Sequence, residues 1–132
     1  DRRLVTHGAE TLAVDAEQAG YRGMMGLLDR KETFTAVFAF SDLYALGGIN
    51  AVRGKGLRVP EDVSVVGFDD VMPAAYSNPP LTTIRQPLEE MGKKGAELLI
   101  KTIETKRETG KSFLLEPELV IRKSSCSCRK AG

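Results

Sequence analysis

Two short runs in this chain are apolar nearly throughout, and each is embedded between segments of helical period. They are Thr33–Phe40 (TFTAVFAF) and Val63–Phe68 (VSVVGF). A strand with one wet face alternates apolar and polar residues. A β-branched and aromatic run that fails to alternate reads as a strand buried on both faces. Such strands occur in parallel sheets, where crossover helices cover the two faces.

The helices are legible in the same way. From about Asp15 to Arg30, Ala16, Ala19, Gly20, Gly23, Met24, Leu27 and Leu28 recur at spacings of three and four and mark one face. Ser41 or Asp42 is a natural N-cap for a second helix running to about Lys55, with Leu43, Leu46, Ile49 and Val52, and Gly54 and Gly56 as its stop. Gly23, Gly26, Gly47 and Gly48 read as packing positions inside helices. A short turn through Ala74-Ala75-Tyr76 ends at Asn78-Pro79-Pro80, and Leu81–Ile84 is extended. Pro87 opens the longest helix, to about Lys106, with Glu89 and Glu90 in its first turn and Lys106 and Arg107 in its last. Leu4 to Gly8, Phe113–Leu115 and Glu118–Ile121 complete the strands, and Gly110 ends the long helix. The order β-α-β-α-β-short α-β-α-β predicts an α/β fold, a parallel sheet flanked by helices with right-handed crossovers.

Composition narrows the function. With 132 residues there is room for one domain. Nineteen basic and eighteen acidic residues leave a net charge of +1, which gives no electrostatic argument for nucleic acid. Aromatics are 6% with no Trp, which disfavours a base-stacking platform. No apolar run approaches the roughly 20 residues of a spanning helix, so no membrane partner is expected. The opening DRRLVTHGAE has neither Met nor an apolar signal core and reads as the middle of a longer protein. Cys126 and Cys128 form C-S-C in a polar tail, a poor disulfide and a weak metal site. Free thiols favour the cytoplasm.

Three strand ends offer polar groups: Thr6-His7-Gly8, Ser41-Asp42 and Asp69-Asp70. In an open parallel sheet they share one rim, the place where such folds bind ligands. A hydroxyl and carboxylates converging there suit hydroxyl-rich or amine-bearing small molecules. The plainer reading is that Ser41, Asp42, Asp69 or Asp70 only caps a helix. Catalysis is poorly supported: His7 is the one histidine, and neither a G-x-S-x-G elbow nor a phosphate-binding glycine loop is present. Paired aspartates can hold Mg²⁺, but the further acidic nucleophile and the lysine such sites need are not found at other strand ends. No enzyme activity and no cofactor are expected.

From Phe34 to Ser125 the chain resembles the lactose/galactose-repressor family of bacterial transcription regulators. The stretches that carry the likeness are FTAVFAFSDLYALGGINAVRGKGLRVPEDVSVVGFDD, then NPPLTTIRQP, then ELVIRKSS; DAEQAGYRGMMGLLDR resembles the helix that precedes them. The resemblance implies a periplasmic-binding-protein-like fold, a small-molecule effector held between two lobes, and a homodimer. Operator DNA would be met only through a helix-turn-helix headpiece that this sequence does not contain. It further implies that 1–86 is the C-terminal lobe, that the helix in 87–110 belongs to the N-terminal lobe, that 111–125 returns as a strand, and that 126–132 is a flexible tail. By position, Ser41, Asp69 and Gln86 would contact the effector. Asp15 falls where several members carry a stacking aromatic, a departure that weighs against ring stacking. Leu46, Asn50 and Tyr76 lie on segments that form the dimer contact. The competing reading is a periplasmic sugar-binding protein of a transport system, which shares the fold; NPPLTTIRQP resembles the regulator branch.

Overall fold

The computed structural model describes residues 15–30, 33–106 and 111–127. Asp15 caps α1 (Ala16–Asp29), its carboxylate accepting from the Gln18 N–H at 3.2 Å. This satisfies one of the orphan donors of the first turn. Helix α2 (Asp42–Gly54) crosses α1 where neither helix can carry a side chain. A Cβ on Gly20 would lie 2.1 Å from the Tyr44 carbonyl oxygen, and one on Gly47 would lie 1.9 Å from that of Glu17. Gly48 meets Met24, as a packing glycine should, but Gly23 and Gly26 face open space, against the sequence expectation.

The strand β1 (Ala36–Phe38) pairs in parallel with β2 (Ser64–Val66), Val37 opposite Val65. A short α3 (Met72–Tyr76) leads to β3 (Thr83–Arg85), which pairs with β4 (Glu118–Val120). Parallel bridges from Val66 to Thr82 and from Asp69 to Arg85 join the two strand pairs. The predicted α/β architecture is present, with corrections in its strands. The pairing of β3 with β4 is antiparallel, Thr83 opposite Val120 and Arg85 opposite Glu118, although the long helix α4 (Leu88–Thr105) lies between them in sequence. Phe113–Leu115, expected as a strand, forms none; Leu114 is 95% exposed.

The core lies between α2 and the β2–β3 region. Ala45, Ile49 and Val52 of α2 cluster with Val63, Val65 and Leu81, and Met24 closes the cluster from α1. Val52, Val65 and Leu81 are fully buried, each contributing roughly 1.5–3 kcal/mol. Strand β2 is covered on both sides, for Ser64 on the face opposite Val65 accepts from the Cys126 N–H at 3.3 Å. Strand β1 is not. Phe38 and Phe40 are 62% and 65% exposed, so the two-sided burial expected of Thr33–Phe40 fails on that face. The Phe40 ring instead leans on Tyr44 of α2, with centroids 4.2 Å apart.

Helix α4 buries none of its residues; Leu88, Leu99, Ile100 and Ile103 are each more than half exposed. Lys106 stands just past its end in a left-handed cap, φ 50°, rather than in the last turn. The sequence expectations for residues 4–8, including His7, and those for Arg107, Gly110 and Cys128 fall outside the described residues.

Candidate effector site at the strand rim

Because β1 and β2 run parallel, their carboxyl ends open on the same rim. The segments after them are stitched together: the Asp42 N–H donates to the Phe68 carbonyl at 2.8 Å. Ser41 and Asp69 therefore flank a single hydrogen bond. Ser41 is half-buried at the N-cap position of α2, with extended backbone (φ −149°, ψ 157°), yet its hydroxyl makes no capping bond. The capping reading is thus not what Ser41 does here.

Asp42 has a different task. Its side chain is fully buried and accepts from the Thr83 hydroxyl at 2.5 Å and from the Val71 N–H at 2.9 Å. Burial raises its carboxyl above the ordinary value, against the pull of those two hydrogen bonds, and the charges of Asp69 and Asp70 push the same way as burial. A Cβ at position 67 would lie 2.2 Å from Asp42 Oδ1, so only glycine fits before Phe68.

The two residues after Phe68 are strained. Asp69 has φ 113° and Asp70 φ 56°, in a region that costs a non-glycine residue on the order of 1–3 kcal/mol. Their side chains divide the work. Asp69 Oδ1 accepts from Gln86 Nε2 at 2.6 Å, and its N–H donates to the Ile84 carbonyl at 2.9 Å. The second oxygen of Asp69 has no protein partner among the described residues. Since no buried side-chain polar atom there lacks a partner, that oxygen faces solvent. Asp70 is committed on both oxygens: Oδ2 accepts from Arg85 Nε at 2.7 Å, and Oδ1 from Arg122 Nη2 at 2.5 Å. Burial acts to raise the Asp70 carboxyl, but the hydrogen bonds and charges of the two guanidinium groups more than offset it, and the net direction is downward.

Of the residues expected to contact an effector, the structure therefore joins Ser41, Asp69 and Gln86 through adjacent hydrogen bonds. Asp15 is exposed and engaged with its own helix. Leu46, Asn50 and Tyr76, the expected dimer positions, line one groove of about 370 Å³ together with Ile49, Arg53 and Pro73. Within it Leu46 is buried, while Tyr76 is 84% exposed. Among the described residues, no group of three His, Cys, Asp or Glu side chains could hold a metal ion. Among those residues, too, no helix is long and apolar enough to cross a membrane.

Sequence reasoning missed Thr83, Arg85 and Arg122. The signal was available for the arginines. Each closes a short extended run, TTIR and ELVIR, and cations placed at strand ends are natural partners for the adjacent aspartates at another strand end. Nothing local marked Thr83.

A family model for the periplasmic binding protein-like domain matches residues 3–125. Over 107 residues the chain is 43% identical to the HTH-type transcriptional repressor PurR of Edwardsiella ictaluri, covering 81% of this chain and 31% of that protein. It is 40% identical over 112 residues to the ribose operon repressor of Haemophilus influenzae, covering 85% of this chain and 34% of that protein. The solved structure of a transcriptional regulator, CelR, in complex with cellobiose superposes with a TM-score of 0.78 at 41% identity, over 83% of this chain and 33% of that one. The chain thus spans about a third of the length of the curated relatives it matches.

Proposed function

Because the chain belongs to the periplasmic binding protein-like domain family, we propose that it is the effector-sensing part of a bacterial transcriptional repressor, binding a small hydroxyl-rich molecule at the Ser41–Asp69–Gln86 rim. The observation that carries this reading is the Asp69 carboxylate, with one oxygen held by Gln86 and the other open to solvent. A carboxylate fixed in this way accepts hydrogen bonds from sugar hydroxyls or from ring N–H groups, and charge-assisted bonds of this kind are the stronger ones. The uncommitted Ser41 hydroxyl adds a donor beside it. Asp15 would contribute a second carboxylate from the N-terminus of α1, so recognition is by hydrogen bonding rather than ring stacking.

Regulation is favoured over transport because the named relatives are repressors and a regulator. Such a protein works in the cytoplasm and meets operator DNA through a segment outside this chain. It acts as a homodimer, for which the groove containing Leu46, Asn50 and Tyr76 is the surface proposed.

The test is an NMR titration of ¹⁵N-labelled chain with millimolar ribose and cellobiose. Shifts concentrated at Ser41, Asp69 and Gln86, and lost in Asp69→Ala, support the assignment. Sugar-induced shifts that persist in Asp69→Ala, or that gather elsewhere, overturn it.

A further inference from the structure

Two neighbouring non-glycine residues at positive φ do not hold that conformation unaided, and Asp69 and Asp70 do so at the one point where the candidate effector carboxylate is displayed. The backbone supplies one restraint, the hydrogen bond from the Asp69 N–H to Ile84. The side chains supply the others: Asp69 accepts from Gln86, and Asp70 is held on both of its oxygens. The Asp70 side chain is only 8% exposed and each of its oxygens accepts from a different arginine, so it is turned toward the protein and away from a ligand.

Those arginines are themselves anchored. Arg122 donates through Nη1 to the Leu81 carbonyl at 2.8 Å, and its backbone N–H donates to Thr82 Oγ1 at 3.0 Å. Arg85 reaches through Nη1 to Glu118 Oε2 at 3.1 Å. Arg85 and Glu118 face each other across the β3–β4 ladder, and Gln86 follows Arg85 directly. A continuous chain of charge-assisted bonds thus runs from the strand that enters α4, through Asp70, to the segment that follows β4.

We propose that Asp70 is a positioning residue for the effector site: its clamp by Arg85 and Arg122 holds the left-handed turn that aims the Asp69 carboxylate at Gln86. The proposal rests on Asp69 being the effector carboxylate, and it assigns the two adjacent aspartates opposite roles. Asp69 faces the ligand; Asp70 faces the protein. It also makes the site dependent on β3 and β4, since moving either strand shifts an arginine and with it the turn.

The experiment reads the Gln86 side-chain amide in sugar-free, ¹⁵N-labelled chain. Held by Asp69, its two Hε2 protons give resolved signals away from the position of a solvated glutamine. Asp70→Asn should move them toward that position, and Arg85→Gln, at a half-exposed residue, should move them the same way by less. Val52→Ala weakens the core away from the turn and should leave them in place. With Asp70→Asn, the sugar concentration needed for half-maximal shift at Ser41 should rise tenfold or more. Should Asp70→Asn not fold, Arg85→Gln carries the test. Gln86 signals unchanged in both variants overturn the clamp. The effector reading fails separately, on sugar-induced shifts that survive Asp69→Ala.

Discussion

Thr83 donates its hydroxyl to Asp42 Oδ1 at 2.5 Å, with both side chains fully buried. The other Asp42 oxygen accepts the Val71 N–H, so one carboxylate ties the start of α2 to β3 and to the turn before α3. A buried acceptor of this kind matters less for what it gains than for what its loss leaves stranded.

Asp42→Ala strands the Val71 N–H and the Thr83 hydroxyl, each at roughly 1–3 kcal/mol. The expected loss in urea unfolding is therefore about 2–6 kcal/mol. Thr83→Val should cost less, since Asp42 keeps its bond from Val71. Equal stability of wild type and Asp42→Ala would show that the carboxylate is dispensable.

Position 47 admits no side chain. Gly47→Ala places a methyl 1.9 Å from the Glu17 carbonyl, and backbone cannot yield as a flexible side chain can. Forcing α1 off α2 should cost at least the 1–3 kcal/mol typical of overpacking. Gly23→Ala, with open space around it in α1, should stabilise by about 0.5–1 kcal/mol through helix propensity. Thermal melts of the two variants should therefore shift in opposite directions. A parallel shift would mean that the helix crossing is looser than the close approach of Gly20 and Gly47 indicates.

The contrast between these glycines shows what could be read from the sequence alone. Periodicity located α1 and α2 and put Gly23, Gly26, Gly47 and Gly48 inside helices, but it does not say which side of a helix finds a neighbour. The same holds in the strands. TFTAVFAF marks a strand without revealing that the face of Phe38 and Phe40 is bare. VSVVGF is covered on both sides, one of them by a segment about sixty residues away in sequence, as the Cys126–Ser64 bond shows. Ser41, Asp69 and Gln86 were legible because strand ends and a motif pointed to them. The distinct tasks of Asp42 and Asp70 were not, because burial and arginine partners brought from distant positions decide them.

Asp70 and Asp42 should respond to acid in opposite ways. The Asp70 carboxyl titrates below its ordinary value of 3.8 in the folded chain, so its contribution is present above that pH and is lost as pH falls through the folded value. Asp42 titrates above 3.8, so its ionisation costs stability as pH rises through its folded value, and the cost is absent below 3.8. Asp70→Asn should therefore lose about 1–3 kcal/mol near neutral pH, reduced from a fully buried pair because Arg85 is half-exposed. Denaturant midpoints of wild type and Asp70→Asn should converge as the pH drops below about 4. A gap that stays constant down to pH 2.5 would assign the loss to packing rather than charge.

The groove of Leu46, Asn50 and Tyr76 is proposed to be used twice in a two-fold dimer, so one unfavourable change there enters twice. Leu46→Arg should give monomers in sedimentation at concentrations where the wild type dimerises. Dimers that survive the change would place the interface elsewhere.

Helix α4 should be the least protected helix of the chain. Its 18 residues bury nothing, and the Glu90–Lys94 pair at 2.8 Å adds only about 0.3–0.5 kcal/mol as an exposed i,i+4 contact. An 18-residue helix with so little tertiary packing, chiefly Lys94 over the Phe113 ring, is marginal in water. Helix α2, with Ala45, Ile49, Ala51 and Val52 buried, opens only when the core does. Hydrogen exchange in dilute solution should thus find the amides of 92–105 exchanging orders of magnitude faster than those of 46–54. Leu88, Met91, Leu99 and Ile103 are 44–66% exposed, and apolar surface of that extent gains from being covered. If this helix is the part that packs on the N-terminal lobe in a longer protein, adding the segment that precedes this chain should slow exchange in 92–105 while leaving 46–54 unchanged. Slow exchange in 92–105 already present in the chain alone, and independent of concentration, would mean that the helix folds against its own sheet in solution and that the inter-lobe assignment is wrong.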